Sequence, residues 1–412
     1  MVTMNLLENL SINFIDFAVD KIRMIDLNWI GKIIQWLIEG IGIIGVGIIV
    51  FTLILKTITL PLDIFSRIKM KKQSLMMEAV RPQMEKLQKQ YANDKAMYSQ
   101  KVMELQKANG ISMFGACLPM IVTLVIFMVV FGAFSTYSQY ANLATYNDLV
   151  DSYNVSVQEF VLSDDNKEGF LIKSEDPATK QTAYLVDFDA YKKKVETTSG
   201  FDNMNEAQKI AEVRGFVREY ARKAAADHYR SHRSNFLWVN NIWYPDSPLN
   251  KEVPNFSDFR DAVTRASGNV DASYEASYDE VTHYLRNEGY GEGKLEGKRV
   301  NGYFVLIVLA IGLMFLQQFI SMRSQKAANE LSTVDGSAAK TNKWMLIMMP
   351  LIYGVFSFFY SAAFSIYMIT STLFGLITTV IINKAMDVSF SKKIENGTFN
   401  ANGGRNNRKR LK

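Results

Sequence analysis

Residues 40–63 read GIGIIGVGIIVFTLILKTITLPLD. An apolar run of this length suits a helix crossing a bilayer core about 30 Å thick. It carries one cation, Lys56. A charged run with helical periodicity follows from Arg67 to about Asn109, and a second apolar run begins near Met113. A cation inside a membrane is costly, so it either faces a polar cavity or reaches back to the interface. Lys56 lies about six residues from the end of its span, roughly 9 Å of helix rise. A lysine stem can cover that distance, so depth alone leaves both readings open.

Outward from this stretch the 412 residues divide into two populations, which the mean hydropathy of −0.01 conceals. The pattern predicts an all-α polytopic membrane protein with five spans: 40–62, 113–137, 301–322, 343–360 and 363–383. Residues 63–112 form a helical hairpin turning near Ala92–Asn93–Asp94. Residues 138–300 form a polar insert, mostly helical or α/β, with a helix over Asn205–Arg233, weaker helices over Asp258–Ala266 and Tyr274–Asn287, and strand character at Thr182–Phe188. Residues 323–342 are a short polar loop and 384–412 a basic tail. Residues 1–39 are an amphipathic, interfacial lead-in: Leu6, Leu7, Leu10, Phe14, Phe17, Ala18 and Ile22 recur at threes and fours, and Trp29 and Trp36 suit the interface. No cleavable leader is expected there.

Charge orients these spans. The hairpin holds ten Lys/Arg against five Asp/Glu, the loop with Lys343 four against two, and the tail eight against two. The insert holds twenty against twenty-seven. The positive-inside rule then puts the N-terminus and insert outside, and the hairpin, loop and tail inside.

Polar groups in the other spans favour a shared wet interior for Lys56. They are Thr52, Thr57 and Thr59 beside it; Gln317 and Gln318; Ser357, Tyr360 and Ser361; and Ser365, Tyr367, Thr370, Ser371 and Thr372, with Met368 among them. Met76, Met77 and Met84 in the hairpin are flexible thioethers of the kind that adapt to varied apolar partners, and equally of the kind that pack. The hairpin's basic surface suits anionic lipid headgroups. Arg405, Arg408, Lys409, Arg410 and Lys412 act as topology signals or bind the phosphate backbone of RNA. Cys117 alone builds no disulfide or zinc site. His228 and His232 share a helix face without an evident third ligand. No nucleotide loop, metal motif or nucleophile elbow is present in the sequence, so neither cofactor, metal nor enzymatic activity is expected.

Residues 53–120, from LILKTITLPLD through VRPQ to SMFGACLPM, resemble the YidC-type membrane protein insertases. NFLWVNNIWYPDSPL (235–249), MFLQQFISM (314–322) and 345–384 are similar to later segments of that family, in the same order. One departure is Lys56, where the family usually carries arginine; lysine keeps the charge and lacks the planar fork. The insert is also longer than in the simple bacterial form, and the chain is most similar to the shorter Gram-positive type, in the bacterial cell membrane. The resemblance implies an insertase. Met76, Met77, Pro82 and Met84 of the hairpin would capture substrate. A cytoplasm-facing groove of Lys56, Thr52, Gln317, Gln318, Ser357, Tyr360, Tyr367, Met368 and Ser371 would draw in its polar segment. The implied partners are nascent membrane proteins, the ribosome and the Sec translocon, with no role for DNA. A solute transporter predicts paired broken helices, which are not evident. A membrane-anchored receptor explains the insert and leaves the hairpin unexplained.

Overall fold

The computed structural model describes residues 11–12, 17–109, 113–162, 170–175, 182–195, 200–267, 270–286, 299–324, 344, 348, 350–352 and 354–395. The chain forms two compact units. The first comprises Met1–Leu27, Ser138–Ser234 and Pro248–Asn301; the second comprises Asn28–Tyr137, Asn235–Ser247 and Gly302–Lys412.

The second unit is built from long helices. Helix α1 (Trp29–Ile41) is capped by the Asn28 side chain, which accepts from Gly31 N–H at 2.8 Å, and it ends at Gly42 in the left-handed conformation. Its two tryptophans stand outward, 71% and 72% exposed. Helix α2 (Ile44–Gln90) follows, 47 residues long. Pro61 lies inside it. Span and first hairpin arm are thus one helix, with no helix break at Pro61 or Asp63. Helix α3 (Lys95–Ala108) returns, with Asp94 capping Met97 N–H at 2.9 Å. The seam between α2 and α3 buries Met76, Met77, Val80 and Met84 against Tyr98 and Val102. These positions recur at i, i+4 and i+8, the packing face of a helix.

Helix α4 (Met113–Leu162) gives its residues up to Tyr137 to this unit and the rest to the other. Helices α10 (Val305–Ser324) and α11 (Ala362–Glu395) complete the second unit, and α11 packs against both α10 and α2. Residues 354–359 are also helical. Aromatic rings of α4 lock into this bundle, with Phe131 edge-on to Tyr360 and Phe364 at 4.5 and 5.2 Å. Among the described residues, α2 and α11 are long and apolar enough to cross a membrane, and Val305–Ser321 is a shorter apolar helix.

The first unit adds a three-stranded antiparallel sheet, ordered β1 (Ser11–Ile12), β3 (Thr182–Val186), β2 (Leu171–Glu175). Helices α5 (Phe188–Val195), α6 (Glu206–His232), α7 (Phe256–Ser267), α8 (Glu275–Val281) and α9 (His283–Arg286) surround a core that includes Tyr146, Tyr153, Phe170, Val213, Val217 and Tyr278. Helix α6 begins with a capping box between Asn205 and Gln208.

Residues 17–27 are not the expected surface helix. Phe17, Val19 and Ile22 are buried in this core, while Ala18 and Asp20 face out. The alternation of period two over 17–20 marks extended chain. Two asparagines one heptad apart on α4 hold it: Asn154 bonds the N–H and C=O of Val19 at 3.0 and 2.9 Å, and Asn147 bonds those of Ile22 at 3.0 and 2.9 Å. The helical periodicity read over 6–22 fails at its described end, since 18–28 carry no helix, although Phe17, Ala18 and Ile22 also fall at helical spacing. Leu6, Leu7, Leu10 and Phe14 lie outside the described residues.

Candidate functional site

Three helices of the second unit start from one short segment, 235–247. Expected as part of the polar insert, it belongs instead to this unit. The Phe236 ring rests on Gly45 of α2, where a Cβ would collide with it. Asp246 is fully buried and receives Tyr303 N–H at 2.7 Å, Leu306 N–H at 2.6 Å and Trp238 Nε1–H at 3.3 Å. It therefore caps α10, where free N–H groups and the helix dipole both favour an anion. Gly302 leaves no room for a side chain beside it. Ala362 and Ala363 N–H at the start of α11 donate to Tyr244 and Ile242 carbonyls at 2.8 and 2.9 Å.

Measured from that common end, Lys56, Gln317 and Ser371 fall about 16, 18 and 14 Å along α2, α10 and α11, at 1.5 Å per residue. They meet at one level and line a cavity of about 190 Å³. Thr59, Asp63, Gln318, Tyr367 and Thr372 share its walls, with Ile126, Phe127, Met314, Pro350 and Met368 as the apolar part. Lys56 is half-buried, and among the described residues no carboxylate lies within 4.0 Å of its ammonium. Asp63 lies two turns further along the same helix face. Gly375 lets α11 approach α10 closely: a Cβ there would lie 2.6 Å from Gln317 Nε2. Such a volume admits several waters or a short polar segment.

The structure thus brings together Lys56, Gln317, Gln318, Tyr367, Met368 and Ser371 of the expected groove. It does not bring Thr52, Ser357 or Tyr360 there. Thr52 is buried and donates to Ile48 O at 2.7 Å within its own helix. Ser357 is buried, and Tyr360 packs on Phe131 and Phe356. Thr57 and Thr370 also bond their own helices, to Leu53 O and Ile366 O at 2.8 and 2.9 Å. A threonine that bonds back four residues adds little polarity to a cavity, so counting hydroxyls overstated the wet surface. Thr59, expected beside Lys56, does line the cavity, though its hydroxyl also bonds back, to Lys56 O at 3.2 Å. Asp63 was the missed polar wall, and its signal was spacing, since 56, 59 and 63 lie on one face.

Met76, Met77 and Met84 lie in the hairpin seam rather than on a receiving surface. The exposed hairpin methionines are Met97 and Met103, 40% and 51% accessible. Pro82 is exposed within α2. Arg405, Arg408, Lys409, Arg410 and Lys412 lie outside the described residues. His228 and His232 stack at 4.3 Å. Among the described residues no group of three or more His, Cys, Asp or Glu is placed to hold a metal.

The sequence pattern of the family described as 60Kd inner membrane protein matches residues 36–166 and 223–390, which include every wall of the cavity. The chain belongs to this family. With two membrane-length apolar helices among its described residues, it is a mostly helical membrane protein. The match reaches further into the insert than the short motifs suggest and omits 167–222, which holds β2, β3, α5 and the first part of α6. Similar curated proteins are named membrane protein insertase YidC. That of Fusobacterium nucleatum is 38% identical over 92 residues, 22% of this chain and 43% of the relative. That of Caldanaerobacter subterraneus is 32% identical over 113 residues, 27% of this chain and 53% of the relative. That of Leptospira interrogans is 37% identical over 91 residues, 22% of this chain and 14% of the relative. The chain spans about half the length, or less, of these curated relatives.

Proposed function

We propose that this protein inserts newly made membrane proteins into the bacterial membrane. The observation that carries this reading is the cavity itself: a cation with no carboxylate within 4.0 Å among the described residues, at mid-depth of apolar helices, in a chain of the 60Kd inner membrane protein family. In this reading five spans cross the bilayer, with the hairpin, short loop and basic tail in the cytoplasm and the polar insert outside. The capped end, closed by 235–247, faces outward. The Lys56 cavity is then reached from the cytoplasm and from lipid.

Insertion follows from transfer free energies. An aspartate at the centre of a span costs about 3 kcal/mol, and ten leucines return about 5 kcal/mol. An apolar substrate helix of this composition can therefore offset one carboxylate, and a longer one two, without nucleotide hydrolysis. The remaining obstacle is the passage of those carboxylates. Lys56 lowers it by meeting the anion inside the membrane, while Gln317, Gln318, Ser371 and Thr372 replace part of its hydration. The hairpin receives the substrate, with Met97 and Met103 as its outward apolar contacts and its basic surface near anionic headgroups. The tail residues Arg405–Lys412 contact the ribosome, and the Sec translocon is a partner for larger substrates.

Photocrosslinking to a stalled nascent chain tests this reading. Probes at positions 317 and 371 should capture a substrate's polar segment, and a probe at outward-facing Val308 should not. Equal capture from all three would place the substrate elsewhere.

A further inference from the structure

Beyond the Lys56 cavity, a second and larger one of about 390 Å³ opens among the same three helices. Arg67, Lys71 and Arg323 line it with Asn383, Asp387 and the apolar side chains of Met70, Ile320 and Met386. Among the described residues that line it, three cations face one carboxylate. Lys71 pairs with Asp387 at 2.7 Å. Arg323 lies over the Phe319 ring at 4.7 Å. Among the described residues neither Arg67 nor Arg323 has a carboxylate within 4.0 Å. The insertion reading leaves this cluster unused.

We propose that this pocket binds a phosphate group, supplied by the headgroup of an anionic phospholipid. Two guanidiniums and an ammonium around one concavity match the oxygens of a phosphate, which guanidinium meets in a fork. Asn383 adds an amide donor. The position selects the lipid. From the capped end, Arg67, Arg323 and Asp387 lie about 33, 27 and 38 Å along their helices. A bilayer core is about 30 Å thick, with headgroups extending several ångströms beyond, so the cluster sits at headgroup level on the far side. Met70, Ile320 and Met386 give the first carbons of an acyl chain an apolar wall. The Lys71–Asp387 pair holds part of the site's charge while no anion is bound, and phosphate competes with Asp387 for Lys71. The lipid source rests on the reading that these helices cross a bilayer; the phosphate chemistry does not.

The test uses the full chain, delipidated in neutral detergent. Its unfolding temperature is followed during titration with short-chain phosphatidylglycerol, short-chain phosphatidylcholine and inorganic phosphate. Ligands that bind the native state raise that temperature by mass action. Phosphatidylglycerol should raise it, phosphatidylcholine should not, and inorganic phosphate should fail to displace the lipid. The double variant Arg67→Gln/Arg323→Gln should weaken the apparent affinity by about tenfold, the loss of one to two charge-assisted contacts. Asp387→Asn should tighten it. Equal shifts with both lipids, or an unchanged affinity in both variants, would overturn the site. Displacement by inorganic phosphate would replace the lipid with a free anion and overturn the lipid assignment. If the double variant does not fold, Asp387→Asn decides alone, and an affinity no tighter than wild type overturns the proposal. Insertion assays on the same samples separate this claim from the previous one. Lipid discrimination without insertion refutes the insertase reading only, and insertion without discrimination refutes the pocket only.

Discussion

Asp246 and Lys56 are both charged groups set among apolar helices, and their surroundings treat them in opposite ways. Asp246 is fully buried and accepts from two backbone N–H groups and an indole N–H. Lys56 is half-buried, and no carboxylate among the described residues lies within ion-pair distance. A buried polar group with every partner supplied is a joint, and it fixes one arrangement of the chain. A charge kept in an apolar setting without such partners does little for the fold, and a functional role is the economical account of it. The 235–247 segment closes one end of the bundle, and the cavity opens about 16 Å further on.

That contrast can be broken in several ways. The largest effect is expected at the joint. Asp246→Ala leaves three donors without their acceptor at the head of α10 and should cost about 3–5 kcal/mol. Thermal unfolding and amide exchange over 303–310 would measure it, and near wild-type stability would mean the cap is dispensable. Next comes the hairpin seam. Val80→Asp or Met77→Ala opens a packed contact and should destabilise the hairpin by about 2–4 kcal/mol. Met97→Ala and Met103→Ala should leave exchange protection unchanged, and a reversal would relocate the packing face. Lys56→Ala comes third on the stability scale, with an unfolding temperature within a degree or two of wild type, because no ion pair within 4.0 Å is lost among the described residues. Its effect falls on insertion, reduced about tenfold for each 1.4 kcal/mol of lost stabilisation, while Lys56→Arg retains it. A marked stability loss in Lys56→Ala would make this residue a second joint.

The smallest effect lies in the other unit. Burial lowers the His283 pKa below its ordinary 6.5, with the Arg222 charge acting in the same direction. A depressed native value means the unfolded chain binds the proton more readily, so the contribution is complete above 6.5 and declines as pH falls below it. Exchange over α6 and α9 should quicken between pH 7.5 and 5.5 beyond the intrinsic rate, and His283→Gln should flatten that dependence. Burial raises Asp148, which acts in the opposite sense, so the comparison with His283→Gln isolates the histidine.

Much of this was legible in the residues. The charged run at 67–109, with its Asn93–Asp94 turn and its i, i+4 stripe, specified a helical hairpin. Asn205–Arg233 specified α6 through its cap and length. Lys56 stood out because one cation in twenty apolar residues is rare. Other features were hidden for physical reasons. Helix continuity through Pro61 runs against the local preference for a break, as apolar helices that cross membranes can tolerate. Residues 17–27 run as non-helical chain once Asn147 and Asn154, more than 120 residues away, supply bonds to Ile22 and Val19. The membership of 235–247 in the helical unit is set by long-range partners, Gly45, Gly302 and Ala362. Thr52 and Ser357 read as groove residues because composition reports polarity and not whether a hydroxyl is buried away from the cavity.

The most direct test is a charge series. Single-span substrates carrying no, one, two or three aspartates in an otherwise constant N-tail would be inserted by the wild type, Lys56→Ala and Lys56→Arg chains in reconstituted vesicles. The account predicts that the Lys56→Ala defect is small for the neutral tail and grows with each aspartate, while Lys56→Arg tracks wild type. A defect of the same size for every tail, the neutral one included, would contradict it.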